Sequence, residues 1–223
     1  KLRGYLVNGV TAKLGFWSST ILAVLVLLVD AGMIASNILY PITTITSIEA
    51  YAAQFNPSQM LPFIPSLLLA PIFVIFMLAV YHTASTDKKI FGQLGFAFAA
   101  ICAGILGLHY YIQLTIVQQG LLNGELAGLW QFVTPNPNSF FWMFAALGYG
   151  FMGFALLSVA PIFSEKADRL IKWLFIANGL VGIIFLVGNA LGFFVINILA
   201  SFIWGVLFPA AAICLARKFR NSP

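Results

Sequence analysis

Six apolar runs, each close to the roughly 20 residues a helix needs to cross a bilayer, organise this chain. They lie at about 16–40, 61–84, 90–119, 139–163, 170–192 and 194–216. In lipid a backbone must satisfy its own N–H and C=O groups, and a run of this length does so as a helix. The expected fold is an all-α integral membrane protein: six transmembrane helices in a single polytopic domain, 1–223. A water-soluble fold is excluded by surface chemistry. Only 8% of the residues are charged and 61% are hydrophobic, whereas a soluble domain carries about 25% charged residues.

Charge sets the expected orientation. The eleven Lys and Arg residues are Lys1, Arg3, Lys13, Lys88, Lys89, Lys166, Arg169, Lys172, Arg217, Lys218 and Arg220. With six spans all of them fall on one side. The positive-inside rule then places the N- and C-termini in the cytoplasm, and the expected location is the plasma membrane of a prokaryote. The same distribution explains the net charge of +5 by contact with anionic lipid, so the basic balance implies no nucleic-acid surface. The basic start of the chain lacks a signal-peptide cleavage pattern, and the next apolar run is too long for one.

The two longer connections face outward. In 41–60, Thr46-Ser-Ile-Glu49 fits a capping box, predicting a short helix to about Phe55 that Asn56-Pro57 stops. In 120–138, a short helix is expected over 123–132, followed by the turn-rich Thr134-Pro-Asn-Pro-Asn138. The two loops read as lids or docking surfaces or, equally, as interfacial helices with Tyr51 and Trp130 at headgroup level. Pro71 is expected to kink the second span. Gly192 is the one stop signal between the fifth and sixth spans.

Polar residues within the spans are the candidate functional groups. Asp30 stands in the middle of the first span, where an acid costs roughly 2.5 kcal/mol or more on insertion scales. Helical spacing puts Ser19, Asp30 and Asn37 on one stripe, and Cys102, His109 and Gln113 on another with Tyr110 beside it. Asn178 and Asn189 share a face of the fifth span; Asn197 and Ser201 share one of the sixth. Asp30 and His109 each lie ten residues before the outer end of their run, about 15 Å deep, a depth at which they can meet. The expected ligand-binding set is Asp30, His109, Asn37, Tyr110, Gln113 and Asn189, lining a cavity that opens outward beneath the long loops. Ala31/Ala35, Gly148/Gly150/Gly153 and Gly188/Gly192 permit close helix approach.

A repeat of three hairpins is also suggested. Leu14-Gly-Phe16 is matched by Leu94-Gly-Phe96, with Phe175 at the equivalent place. Asp30, Tyr110 and Asn189 stand fourteen residues beyond each Phe.

Several chemistries are excluded. No lysine lies well inside a span for a retinal Schiff base. His82 and His109 sit at different depths, which disfavours a haem or a zinc site. There is no phosphate loop, Gly-x-Ser-x-Gly elbow or His-Glu-x-x-His. Cys102 and Cys214 are expected as two buried thiols. No catalytic residue, metal or cofactor is expected. The chain length, the Ala31–Ala35 spacing and the long first outward loop are similar in layout to the six-helix substrate-binding subunits of vitamin importers.

These features lead first to a membrane-embedded binding or transport protein for a small apolar or amphipathic ligand. The alternatives are an intramembrane enzyme acting on a lipid or quinone with Asp30 and His109 as acid and base, and an accessory subunit of a larger membrane complex. The partners implied are the lipid bilayer, that ligand and a membrane partner subunit.

Overall fold

The computed structural model describes residues 9–41 and 45–221. They form α1 (Gly9–Leu39), α2 (Ile48–Gln54), α3 (Phe63–Thr83), α4 (Lys89–Ile112), α5 (Gln118–Asn123), α6 (Phe140–Val159), α7 (Arg169–Ala190) and α8 (Phe194–Arg220). Six stretches are long and apolar enough to cross a membrane: α1, α3, α4 continued through α5, α6, α7 and α8. Each packs on the next in chain order, and α8 closes back on α1. The bundle is a ring of three successive hairpins.

Both ends of the described chain meet at one face of this ring. A β-carbon built on Gly15 of α1 would strike the Phe219 ring of α8 at 2.3 Å. This is the terminal face; the opposite one is the distal face. Lys13, Lys88, Lys89, Lys166, Arg169, Lys172, Arg217, Lys218 and Arg220 all stand at the terminal-face ends of their elements. Lys1 and Arg3 lie outside the described residues. There Lys218 holds Asp168 at 2.7 Å, joining α8 to the α6–α7 turn.

Helices in lipid gain little from the hydrophobic effect, so packing density and close approach hold them together. The α6–α7 contact illustrates this. A β-carbon at Gly153 would come within 2.6 Å of the Gly179 carbonyl oxygen, and one at Gly182 within 2.5 Å of the Tyr149 carbonyl oxygen. The two backbones touch because neither residue has a side chain. Towards the terminal face the ring is filled by phenylalanines. Phe76 of α3 reaches Phe175 of α7 at 6.0 Å and Phe208 of α8 at 6.4 Å, across helices that are not ring neighbours. The outer surface carries exposed apolar side chains such as Leu27, Ile64, Leu180 and Phe202.

Several expected boundaries shift. The first helix is already present at Gly9, ahead of the expected 16, and the last runs to Arg220 rather than 216. Helical hydrogen bonding continues past the apolar run because Lys and Arg stems can lie along it with their charges in water. α3 is one unbroken helix through Pro71. The α7–α8 break falls at Gly192, whose φ of 75° is the left-handed conformation that glycine tolerates. Its N–H donates to the Asn189 carbonyl, and the Phe193 N–H donates to the Gly188 carbonyl.

The distal connections fold onto the bundle. The cap of α2 is Ser47, whose hydroxyl accepts from the Ala50 N–H. The expected box from Thr46 is therefore displaced by one residue. A true capping box forms instead at Asn56 and Gln59. Tyr51 is buried in the main core, not set at headgroup level, and burial pushes its phenol up to about 12. The helix expected over 123–132 does not form. Gly124 and Gly128 both take positive φ, 74° and 76°, ending α5 and leaving a single 3-10 turn, Leu129–Phe132. The Thr134–Asn138 run is the turn its sequence suggests, with the Asn136 amide donating to the Trp130 carbonyl.

Candidate functional site

A polar layer crosses the bundle halfway along the spans. Asp30 stands nine residues before the distal end of α1, Tyr149 nine after the distal start of α6, and Trp204 ten after that of α8. At about 1.5 Å per residue all three lie roughly 14 Å below the distal helix ends. Asp30 points at α8. A β-carbon on Gly205 would come within 2.9 Å of both carboxylate oxygens, so the carboxylate rests on a bare Cα. Trp204, next to Gly205 on α8, carries the layer on to Tyr149 of α6. The Tyr149 hydroxyl is 2.9 Å from that of Tyr110 on α4, beside which lies Ser66 of α3. Trp204 meets the Tyr149 ring edge-on, with centroids 4.9 Å apart. Its buried Nε1 has no hydrogen-bond partner. Five helices thus contribute to one layer.

The stripe on α1 grades from closed to open. Ser19 is fully buried, Asp30 half-buried and Asn37 exposed. Beyond Val29, α1 buries no residue. Its distal half is held from the α3 side: a β-carbon on Gly32 would touch Pro62 at 3.0 Å, and the Gln59 amide donates to the Tyr40 carbonyl at 3.3 Å. The distal start of α8 is held by α7, where Ile196 packs on Gly188. Asp30 is therefore the half-buried member of the stripe, between buried Ser19 and exposed Asn37.

The other expected site residues are dispersed. His109 is buried on α4 with its ring 4.6 Å from Phe141 of α6 and 4.6 Å from Tyr110. Its Nε2 has no hydrogen-bond partner. Among the described residues no ion pair or hydrogen bond joins it to Asp30. The two face different helices, Asp30 packing on Gly205 of α8 and His109 on Phe141 of α6. Asn37 donates to the Met33 carbonyl of its own helix at 2.8 Å. Gln113 donates to the Phe132 carbonyl at 2.9 Å, tying the second distal connection to a π-helical turn over Gln113–Val117. Asn189 stands one residue before the end of α7, well above Asp30 and Tyr110, so the repeat does not extend to its depth.

Asn189 belongs to a separate pocket of about 200 Å³ among the distal ends of α6, α7 and α8, with Ser139 and Asn197. Among the described residues no three of His, Cys, Asp and Glu come together as a metal site needs. Comparison with family models, curated proteins and solved structures finds no match for this chain.

Sequence reasoning passed over Tyr149, Trp204 and Gly205. Two signals pointed to them. Trp204 is a tryptophan in mid-span rather than at an interface, where tryptophan is usual. Tyr149 is the one polar side chain inside Gly148-Tyr-Gly150, a stretch legible as a packing motif alone.

Proposed function

We propose that this protein binds, and in doing so transports, a small amphipathic ligand whose polar end sits at the Asp30–Tyr149–Tyr110 layer. The observation that supports this reading is the state of Asp30. It is half-open at mid-span, and no hydrogen bond or ion pair joins it to another described residue. All the described Lys and Arg side chains are at the terminal face, so the described residues offer it no nearby cation. An acid at that depth costs about 2.5–3.5 kcal/mol on insertion scales. A ligand donor or a carried proton at the carboxylate offsets that cost, and the aromatic surroundings suit an apolar remainder. By the positive-inside rule the terminal face is cytoplasmic, so the ligand arrives from outside. The acid–base enzyme reading needs Asp30 and His109 on one substrate, and their facing different helices leaves it without its pair.

Native mass spectrometry of the protein in mild detergent, with extraction and identification of bound molecules, tests this. One small molecule per chain is expected on the wild type and on Asn37→Ala, and none on Asp30→Ala. Asp30→Asn, matched for size and folded by gel filtration, should retain less than the wild type. Bulk lipid alone on every form would overturn the reading.

A further inference from the structure

The distal pocket is chemically unlike the Asp30 layer. Asn138, Ser139, Met143, Asn189, Phe194 and Asn197 are among its lining residues, and no acidic side chain is. Two of these are buried polar groups left without a partner. Ser139 is 3% exposed and Asn197 1%. Neither the Ser139 hydroxyl nor the Asn197 Oδ1 makes a hydrogen bond. Ser139 is the N-cap of α6, yet its side chain makes no capping bond. A cap serine normally accepts from the first turn; here the first-turn N–H groups of α6 lack that acceptor. Asn197 turns its oxygen towards Gly188, 3.3 Å from a β-carbon built there, which leaves the amide N–H₂ as the group directed elsewhere. Asn189 adds a further carboxamide.

The backbone reinforces this. α6 and α8 both begin at the pocket, with Ser139 and Phe194 in its lining. Helix N-termini present free N–H groups and the positive end of the helix dipole. The C-terminus of α7 also reaches this place. Its Gly188 and Asn189 carbonyls already accept from Phe193 and Gly192, so the competing negative end is occupied. At α8 the Phe194 and Ile196 N–H groups already donate to the Gly192 and Phe193 carbonyls, so the first turn of α6 supplies the free N–H groups. With the positive ends of both helices, the unpaired Ser139 hydroxyl and no carboxylate in the lining, the pocket selects for negative charge with oxygen acceptors.

We propose that this pocket binds a small oxyanion, a carboxylate or a phosphate, carried by a free solute or by a lipid headgroup. About 200 Å³ holds one such group without a chain. The distal helix ends lie at headgroup level, within reach of both sources.

The test uses the full chain in phosphatidylcholine nanodiscs. Inorganic phosphate is titrated by calorimetry. In parallel, native mass spectrometry compares retention of phosphatidylglycerol and phosphatidylcholine from mixed bilayers. The variant Asn189→Asp/Asn197→Asp keeps side-chain size and sets carboxylates in the pocket. Asn138→Asp, at an exposed position, does so without touching buried packing. Phosphate binding weakened at least ten-fold in both variants supports a site for free anions. Failure of phosphate to bind, with phosphatidylglycerol preferred by the wild type and not by the variants, supports a headgroup site. Wild type and Asn138→Asp alike in both measurements would overturn the proposal.

Discussion

The carboxylate of Asp30 rests against the bare Cα of Gly205, 175 positions further along the chain. Any side chain at Gly205 would meet both carboxylate oxygens at about 2.9 Å. The glycine thus sets where the acid sits. Gly205→Ala should displace the carboxylate and cost about 1–3 kcal/mol, as overpacking does. Gly104 lies in α4 with nothing within 4 Å of a built β-carbon. There Gly104→Ala should be neutral or stabilising by up to about 1 kcal/mol. Thermal unfolding of both variants in one detergent checks the contrast. Equal effects would mean that Gly205 is not a contact point.

The backbone contact between α6 and α7 predicts a larger lesion. A side chain at Gly153 or Gly182 must part the two helices, because the blocking atoms are carbonyl oxygens that cannot rotate away. Gly153→Val should destabilise by about 3 kcal/mol or more. Because α6 carries Tyr149, ligand binding should fall with it. Retained binding at lowered melting temperature would separate the polar layer from this packing.

The Tyr110–Tyr149 hydroxyl pair predicts non-additivity. Tyr110→Phe leaves the buried Tyr149 hydroxyl without its partner and should cost about 1–2 kcal/mol, whereas Tyr149→Phe should cost less because Ser66 still lies beside the Tyr110 hydroxyl. The double variant removes both groups and should cost less than the sum. Additive losses in equilibrium unfolding would show that the hydroxyls do not act as a pair. Tyr149→Phe should also weaken ligand binding more than Tyr110→Phe, being nearer Asp30.

Glu49 predicts a pH response outside the membrane. The Ser47 hydroxyl, and then its own backbone N–H, hold its carboxyl below the ordinary 4.5. The charged form is therefore favoured in the folded first turn of α2. Its contribution is complete above the ordinary value and is lost as pH falls through the lowered one. Hydrogen exchange of α2 amides, corrected for intrinsic rates, should show protection falling at acid pH in the wild type. In Glu49→Gln that step should be absent. The same acid step in both would assign the response to another group.

The distal loops mark one limit of reading by local pattern. Thr46 and Glu49 satisfied the spacing of a capping box, but the cap is Ser47, because the adjacent hydroxyl serves equally well and the packing of Tyr51 chooses the register. The helix expected over 123–132 was lost to Gly124 and Gly128, each turned to positive φ. Glycine permits a helix or ends one; which it does depends on what the following chain must reach, here the Trp130–Asn136 turn.

The spans, their number and the gathering of basic residues at one face were legible from the sequence, because each depends on what a single segment gains or loses in lipid. The mid-span depths of Asp30 and Tyr110 followed from counting residues. Which polar groups meet did not. Depth fixes position along a helix, whereas the direction a side chain faces depends on how the whole helix is rotated by its neighbours. Residue counting put Asp30 and His109 at one depth, yet α8 takes one at Gly205 and α6 takes the other at Phe141. Asn189 joined Ser139 and Asn197 at the distal rim because the turn at Gly192 brings the ends of α7 and α8 together beside the start of α6. Glycine contacts between helices far apart in the chain set those rotations, and only the tertiary structure decides them.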